Sequence, residues 1–282
     1  MASELKLTML PGAAPVFGQV ATAFVGGTYS MVGLAFVNPA DNNLLFSNCS
    51  FGCAELFHST WTLTADTSSQ PWPVLALTQD GAPVAAYRNR LEQLVLTVCN
   101  DAACHAPVTT KLDDSASYPS LVMVDNAPVL TAYAEANQVL YFYRCSDATC
   151  TSFRRVALSS LSNSRFHSLD CDPATSLPRF VVLDDRVTTN NILYLGECVD
   201  PLCDPDRVVY HLIARGHLHG QDCVIRVHGN TSFMVYHDAA ALELWLAVCT
   251  ETPCGTPIIS RIATNTVRII IVVLASMGML RT

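Results

Sequence analysis

The chain has few basic residues and no long apolar segment. Of its 282 residues, 14% are charged, the net charge is −8, and lysine occurs only at Lys6 and Lys111. A nucleic-acid-binding surface needs clustered basic side chains, so we expect no nucleic-acid partner. The longest apolar run, residues 269–280, is shorter than the about twenty residues that a membrane-spanning helix needs, so we expect no membrane span.

The sequence also lacks the short motifs that identify common enzymes. It contains no phosphate-binding loop, no GxSxG motif, no HExxH motif, no dinucleotide fingerprint and no sialidase Asp-box, S-x-D-x-G-x-x-W. No cofactor is expected, and these absences favour a binding protein over an enzyme. No stretch has the apolar spacing and caps of an amphipathic helix.

Cysteine, in contrast, is abundant, and ten of the 12 cysteines form five pairs. Four pairs read C-x4-C and the first reads C-x3-C, and the pairs recur about every fifty residues. This period indicates one supersecondary unit that occurs five times. The pairs are Cys49/Cys53, Cys99/Cys104, Cys145/Cys150, Cys198/Cys203 and Cys249/Cys254.

Each unit has the composition of short strands. Apolar runs rich in Val, Leu, Tyr and Thr alternate with turn sequences such as QDGAP and VDNAP. Gly81 and Asn126 fall where tight turns need residues that tolerate positive φ. Four strands per unit predict an all-β fold, a β-propeller of about five four-stranded blades, with six blades as an alternative and a solenoid as the second architecture.

We expect one domain over residues 1–282, with no linker. Residues 1–17 and 265–282 are expected to close the ring, and a lost sixth blade is the main alternative. The predicted blades cover residues 18–68, 69–116, 117–162, 163–215 and 216–264.

Every cysteine pair brackets the turn between the third and fourth strands of its unit. Residues that face each other across such a hairpin are close enough for a disulfide, so we predict one per blade. Zinc is the weaker interpretation, because a zinc site needs two pairs that converge on one ion. The remaining Cys171 and Cys223 either bridge adjacent blades or are buried thiols.

Disulfides in every repeat favour an oxidising compartment, so we expect a secreted or cell-surface protein. We also expect the protein to be a monomer. The sequons at Asn48 and Asn230 are candidate glycosylation sites. The first residues, MASELKLTMLPGAAPVFG, do not have the pattern of a signal peptide.

Aromatic and charged residues recur after the second strand of several units. An aromatic ring stacks on the C–H groups of a sugar while charged groups bind hydroxyls, although a tyrosine at a strand end also fills the wedge between blades. Trp61 and Trp72 lie between the first two units. The candidate binding residues are Tyr87, Arg88, Tyr133, Glu135, Tyr236, His237, Asp238 and Trp245.

Carboxylates and histidines provide two further candidate sites. Aspartates near the channel are candidates for glycosidase chemistry, although aspartates in such positions more often cap turns. His217 and His219, with Asp222, are a weak candidate for a divalent ion, and the alternative is exposed loop histidines. The aspartates near the channel are Asp125, Asp170 and Asp172, and three more lie after second strands: Asp184, Asp185 and Asp238.

The repeat has the form PxLALxxDGxPVxAYxxxxxxxLxLxxCxDxxC. Residues 73–104 match it best, and LYFYRCSDATC and LYLGECVDPLC match its cysteine hairpin. The pattern resembles a repeat found in predicted secreted β-propeller proteins of bacteria and some protists, and the broader fold looks like the fucose-lectin and sialidase-like propellers. The resemblance implies architecture and secretion and carries over no site, and the first unit departs from the pattern.

These observations together predict an extracellular binding module for carbohydrate or protein ligands. One alternative is a propeller-type glycoside hydrolase with carboxylates in its channel. Another is a truncated or inactive member of a larger family.

Overall fold

The fold consists of five antiparallel sheets. The computed structural model describes residues 20–25, 31–38, 41–50, 60–159, 166–184, 191–216, 223–238 and 240–264. Within these residues, each sheet contains four strands that are consecutive in the sequence and ordered from first to fourth. The prediction of an all-β fold built from four-stranded blades is confirmed, and a six-bladed ring is compatible with the five described blades.

The strands are numbered in chain order. Blade 1 contains β1 (Val20–Val25), β2 (Met31–Val37), β3 (Leu44–Ser50) and β4 (Thr60–Thr64). Blade 2 contains β5 (Val74–Leu77), β6 (Pro83–Arg88), β7 (Leu94–Val98) and β8 (Val108–Asp113). Blade 3 contains β9 (Ala116–Val124), β10 (Ala127–Ala134), β11 (Val139–Cys145) and β12 (Phe153–Ser159). Blade 4 contains β13 (His167–Cys171), β14 (Pro178–Asp184), β15 (Asn191–Glu197) and β16 (Val209–Gly216). Blade 5 contains β17 (Val224–His228), β18 (Thr231–Asp238), β19 (Glu243–Cys249) and β20 (Ile258–Thr264).

A 3-10 turn, Pro205–Arg207, precedes β16, and its N-cap is Asp204, whose side chain accepts a hydrogen bond from the Asp206 N–H. The tight turns between first and second strands have the expected backbone, with φ of 79° at Gly81 and 61° at Asn126. These turns set the register of the blades.

The core lies between blades. One cluster of buried side chains joins each successive pair of blades. On β6, for example, Ala85 and Tyr87 pack toward blade 1 whereas Val84 and Ala86 pack toward blade 3. Because the two faces of a strand alternate and both are covered, the second and third strands read as almost continuous apolar runs.

The first strands pack side by side in the order β1, β5, β9, β13 and β17. Side chains of one blade reach the backbone of the next: the Leu169 N–H donates to Ser120 Oγ at 2.9 Å, and the Val227 N–H donates to Asp170 Oδ2 at 2.8 Å. Within the described residues, β17 and β1 do not pack as closely as these successive pairs.

Disulfides close the hairpin between the third and fourth strands of blades 2 to 5. The Cα atoms are 4.8 to 5.5 Å apart in the bonded pairs Cys99–Cys104, Cys145–Cys150, Cys198–Cys203 and Cys249–Cys254. These four predicted C-x4-C disulfides are confirmed. The fifth predicted pair, Cys49 and Cys53, lies outside the residues whose side chains the structure describes.

Cys171 and Cys223 are both buried. They belong to different cores, Cys171 to the one between blades 3 and 4 and Cys223 to the one between blades 4 and 5. The sequence left two alternatives for these cysteines, buried thiols or a disulfide between adjacent blades, and the structure shows buried thiols. Burial raises the pKa of the Cys171 thiol, with a further increase from the Asp170 carboxylate, so this cysteine is a poor nucleophile.

The described strands and turns contain no helix long and apolar enough to cross a membrane.

We expect the double substitution Cys145→Ala and Cys150→Ala to lower the free energy of unfolding by about 2 kcal/mol, because the disulfide closes a short loop and restricts the unfolded chain. Urea denaturation measures this change. The reduced wild type no longer has the Cys145–Cys150 bond. If the variant is still less stable than the wild type when both proteins are reduced, the loss of stability does not come from this disulfide.

Candidate functional site

The tyrosines that the sequence suggested as stacking platforms are buried. Tyr87 is 1% exposed, Tyr133 1% and Tyr236 6%. The Tyr87 hydroxyl forms a hydrogen bond with Thr97 Oγ1 at 3.0 Å, and burial raises the pKa of Tyr236 to about 12. These rings pack between blades, which is the wedge-filling alternative. In this conformation they offer no ring face to a ligand.

The remaining candidates on blade 5 also serve the local structure. Asp238 Oδ1 accepts hydrogen bonds from the N–H groups of Ala240 and Ala241, at 3.0 and 3.1 Å, and so caps the turn after β18. His237 is buried, and Trp245 packs against the core between blades 4 and 5. The blade 5 set therefore forms no open site with the candidates on blades 2 and 3.

An aromatic pair does lie at the rim between blades 2 and 3. The rings of Trp72, just before β5, and Tyr118, on β9, have centroids 4.7 Å apart and an interplanar angle of 41°. Both side chains are half-buried. An aromatic surface therefore crosses the boundary between the two blades, at the end opposite to the disulfide loops.

Polar groups flank this pair on both sides. The Tyr118 hydroxyl donates to Glu135 Oε1 at 3.2 Å, and Glu135 is exposed. On the other side, the Arg88 N–H donates to the Pro71 carbonyl at 2.8 Å, which places Arg88 beside Trp72. Arg88 alternates with Ala86 and Val84 on β6, so its side chain is on the face toward blade 3.

The Arg88 guanidinium is only partly satisfied. Its Nη2 is 2.5 Å from Glu92 Oε2, whereas its Nε is buried and has no hydrogen-bond partner among the described residues. The side chain of Arg88 is 19% exposed, so part of the guanidinium other than Nε is open to a ligand. We call Trp72, Arg88, Glu92, Tyr118 and Glu135 the aromatic cleft.

The aromatic cleft combines groups suited to a polyhydroxylated ligand. An aromatic face packs against C–H groups, a guanidinium donates to hydroxyl oxygens, and a carboxylate accepts from hydroxyl protons.

The sequence identified Arg88, Glu135 and Trp72 but not Tyr118 or Glu92. Tyr118 had a signal in the repeat: Trp72 begins WPVL and Tyr118 begins YPSL, so the two aromatics precede a similar proline-containing apolar run. Both also have positive φ, 46° and 52°. Glu92 had no comparable signal, because only the folded turn brings it to Arg88.

Charged side chains join blade 3 to blade 4 and blade 4 to blade 5 at the end of the blades where the disulfide loops lie. The residue before the first hairpin cysteine reaches the disulfide loop of the following blade in each case. Arg144 Nη1 donates to the Pro201 carbonyl at 3.1 Å, and Glu197 Oε2 accepts from the Cys254 N–H at 2.8 Å. Val98, in the same position on blade 2, packs in the same core as Cys145 and Cys150.

Glu197 is the centre of a buried charged network between blades 4 and 5. Its Oε2 is 2.8 Å from His211 Nε2, and its Oε1 is 3.5 Å from Arg179 Nε. Arg179 also donates to Ser232 Oγ at 2.8 Å and to the Asn230 carbonyl at 3.2 Å. Glu197 and Arg179 are each 3% exposed, so this network joins the blades and leaves no room for a ligand.

Between blades 2 and 3, Asp113 holds the outer strands. Its Oδ2 accepts from the Tyr143 hydroxyl at 2.9 Å and from Arg155 at 2.5 Å, and burial with the neighbouring carboxylate raises the pKa of Tyr143. The Arg155 guanidinium also lies 4.3 Å from the centre of the Tyr141 ring.

The channel carboxylates are engaged by nearby donors. Asp170 binds the Val227 N–H, and burial raises its pKa. Asp172 accepts from the Ala174 N–H and the Thr175 hydroxyl, and Asp125 accepts from the Ser176 hydroxyl. Asp184 is buried. Asp125, Asp170 and Asp172 therefore each serve a turn or a contact between blades.

No group of three metal-ligating side chains occurs in the ranges that the structure describes. His217, His219, Asp185 and Asp222 lie outside those ranges. Of the two sequons, Asn230 is exposed in the turn between β17 and β18, and the Asn48 side chain is not among those described.

Solved structures share this fold. A mutant of the Aleuria aurantia lectin in complex with alpha-methyl-L-fucoside has a TM-score of 0.59 and 10% identity, with 90% of this chain and 80% of that chain covered. A structure of the same lectin described as a six-bladed β-propeller has a TM-score of 0.58 and 11% identity, covering 90% and 81%. AofleA from Arthrobotrys oligospora has a TM-score of 0.56 and 12% identity, covering 89% and 73%.

The protein is thus a β-propeller that shares its fold with these solved structures. No family model and no curated protein sequence matches the chain. At such low identity the likeness establishes the fold and leaves the ligand to be argued from this chain's own residues.

We expect Glu197→Gln to lower the free energy of unfolding by about 3 kcal/mol, because it leaves Arg179 buried without its charged partner. Chemical denaturation measures the change. The matched control is Glu243→Gln, which removes an Arg261–Glu243 pair of 2.7 Å whose arginine is 54% exposed; we expect this change to cost less than about 1 kcal/mol. Equal losses in the two variants would show that the buried network does not join the blades.

Proposed function

We propose that this protein is an extracellular carbohydrate-binding module and that the aromatic cleft is its sugar site. The observation that carries the proposal is the contact between Trp72 and Tyr118 across two blades, with Arg88 and Glu135 on its flanks. A stacking surface bordered by one donor and one acceptor matches the two kinds of surface on a pyranose ring.

Binding would divide between these groups. The half-buried rings of Trp72 and Tyr118 would pack on the apolar face of the sugar. The Arg88 guanidinium, whose side chain is 19% exposed, would donate to a ring or hydroxyl oxygen, and Glu135 would accept from a hydroxyl proton. Because donor and acceptor sit on opposite sides of the rings, the sugar would be fixed in one orientation.

Two further findings support the proposal. Lectins of the same fold have been solved in complex with alpha-methyl-L-fucoside and with Fucalpha1-6GlcNAc, so this architecture is suited to sugars. The four disulfides support an extracellular location, because such bonds persist in oxidising compartments. We propose in addition that the chain acts as a monomer and that Asn230 accepts a glycan.

We expect Trp72→Ala and Arg88→Ala each to weaken glycan binding at least about tenfold, since each removes a contact of roughly 1.5 kcal/mol or more. Screening on a glycan array followed by calorimetric titration of the strongest ligand measures this loss.

The matched control for Arg88→Ala is Arg261→Ala, which also removes an arginine from an arginine–glutamate pair, on blade 5. It should bind as the wild type does. A wild-type protein that binds no glycan on the array would overturn the carbohydrate proposal. Unchanged affinity in both cleft variants would instead move the sugar site away from the aromatic cleft.

A further inference from the structure

Glu92 contacts the arginine of the aromatic cleft, and its position is set by the turn that carries it. Glu92 lies in the turn between β6 and β7, with φ of 61°, and its Oε2 is 2.5 Å from Arg88 Nη2. Its side chain is 52% exposed, against 19% for Arg88. The carboxylate therefore sits at the mouth of the cleft, on the solvent side of the guanidinium.

The turn is rigid because Asn89 organises it. Asn89 is 7% exposed, and its Oδ1 accepts hydrogen bonds from the N–H groups of Leu91 and Gln93, both at 3.0 Å. Its backbone N–H donates to the Gln93 carbonyl, and its carbonyl accepts from the Glu92 N–H, both at 2.9 Å. An asparagine side chain bonded in this way holds a single turn conformation.

Contacts outside the turn anchor both of its sides. Gln93 Nε2 donates to Asp114 Oδ1 at 3.1 Å. Arg90 donates to the Ala65 carbonyl, and its Nε lies 3.5 Å from Asp66 Oδ1. The backbone of Glu92 is consequently fixed near Arg88, and the contact with Arg88 holds its carboxylate there.

The charges of the cleft are unbalanced. It contains one guanidinium, Arg88, and two carboxylates, Glu92 and Glu135, and the whole chain has a net charge of −8. An anionic group that approaches Arg88 must replace Glu92 or lie beside it, and like charges in contact are strongly unfavourable. A neutral hydroxyl meets no such repulsion, and it can accept from the Arg88 guanidinium while donating to a carboxylate oxygen.

We propose that Glu92 is a specificity-determining residue that restricts the aromatic cleft to uncharged sugars and rejects sugars with a carboxylate. This inference rests on the proposed function, since it concerns the same cleft. Repulsive groups of this kind give selectivity without adding affinity for the correct ligand. Glu92 would act on the choice of sugar, while Trp72, Arg88 and Glu135 would supply the binding contacts.

The test uses the variant Glu92→Gln, which keeps the size of the side chain and removes its charge. The probes are an array of neutral glycans together with counterparts that differ by a terminal sialic or uronic acid. The wild type should bind neutral members and reject their acidic counterparts. In Glu92→Gln, the ratio of the affinity for acidic counterparts to the affinity for neutral members should rise about tenfold. The control is Glu243→Gln, which changes the net charge equally on blade 5.

A second measurement needs no variant. Raising the salt concentration screens charges near the surface, so the preference of the wild type for neutral over acidic counterparts should narrow at high ionic strength. Circular dichroism and a thermal melt check that Glu92→Gln is folded.

The outcomes separate this inference from the proposed function. A wild type that binds no glycan overturns both. A wild type that binds neutral and acidic counterparts equally, or a folded Glu92→Gln variant whose preference is unchanged, overturns the role of Glu92 alone. A gain that also appears in Glu243→Gln assigns the effect to the net charge of the chain and likewise overturns it.

Discussion

The structure depends on the burial of both faces of each blade against its neighbours. A four-stranded sheet alone leaves two apolar surfaces in water, and successive blades remove both of them. The alternation along β6, with Tyr87 toward blade 1 and Ala86 toward blade 3, shows how one strand serves two cores. The same requirement buries the large tyrosines at the ends of the second strands, because bulky side chains are needed to fill the wedge between blades. Burial of the rings is therefore a consequence of the fold, and it removes them from any role as exposed platforms.

The two ends of the blades have different tasks. At one end, in blades 2 to 4, the residue before the first hairpin cysteine packs against or bonds to the disulfide loop of the following blade. These residues are Val98, Arg144 and Glu197. The disulfides hold these loops in one shape and so give each preceding blade a fixed partner. The opposite end, where first strands begin and second strands finish, carries the aromatic cleft. Separation of the two tasks allows the cleft to keep a buried donor, Arg88 Nε, without a partner among the described residues, because the joining of the blades does not rely on it.

Several features could be predicted before folding because they depend on short stretches of chain. The cysteine spacing and the turns at Gly81 and Asn126 define a hairpin locally, so strand number and disulfide pairing follow from the repeat. The cleft was only partly predictable. Arg88 and Glu135 both stand just after the tyrosine of a second strand and could be identified from it, and Tyr118 has the same aromatic–proline pattern as Trp72. Glu92 could not be found in this way, because its contact with Arg88 arises from a turn whose conformation is set by Asn89.

The amino-acid sequence by itself determined the repeat, the four-stranded unit, the hairpin disulfides and the low content of basic residues, because each of these properties resides within one unit or in the composition. The tertiary structure decided which side chains remain available. The repeat contains five aromatic residues whose exposure the sequence does not distinguish. Three of them lie inside interblade cores, Tyr87, Tyr133 and Tyr236. The other two, Trp72 and Tyr118, contact each other at a rim. That difference depends on which neighbour each face meets, and a blade acquires its neighbours only when the chain folds.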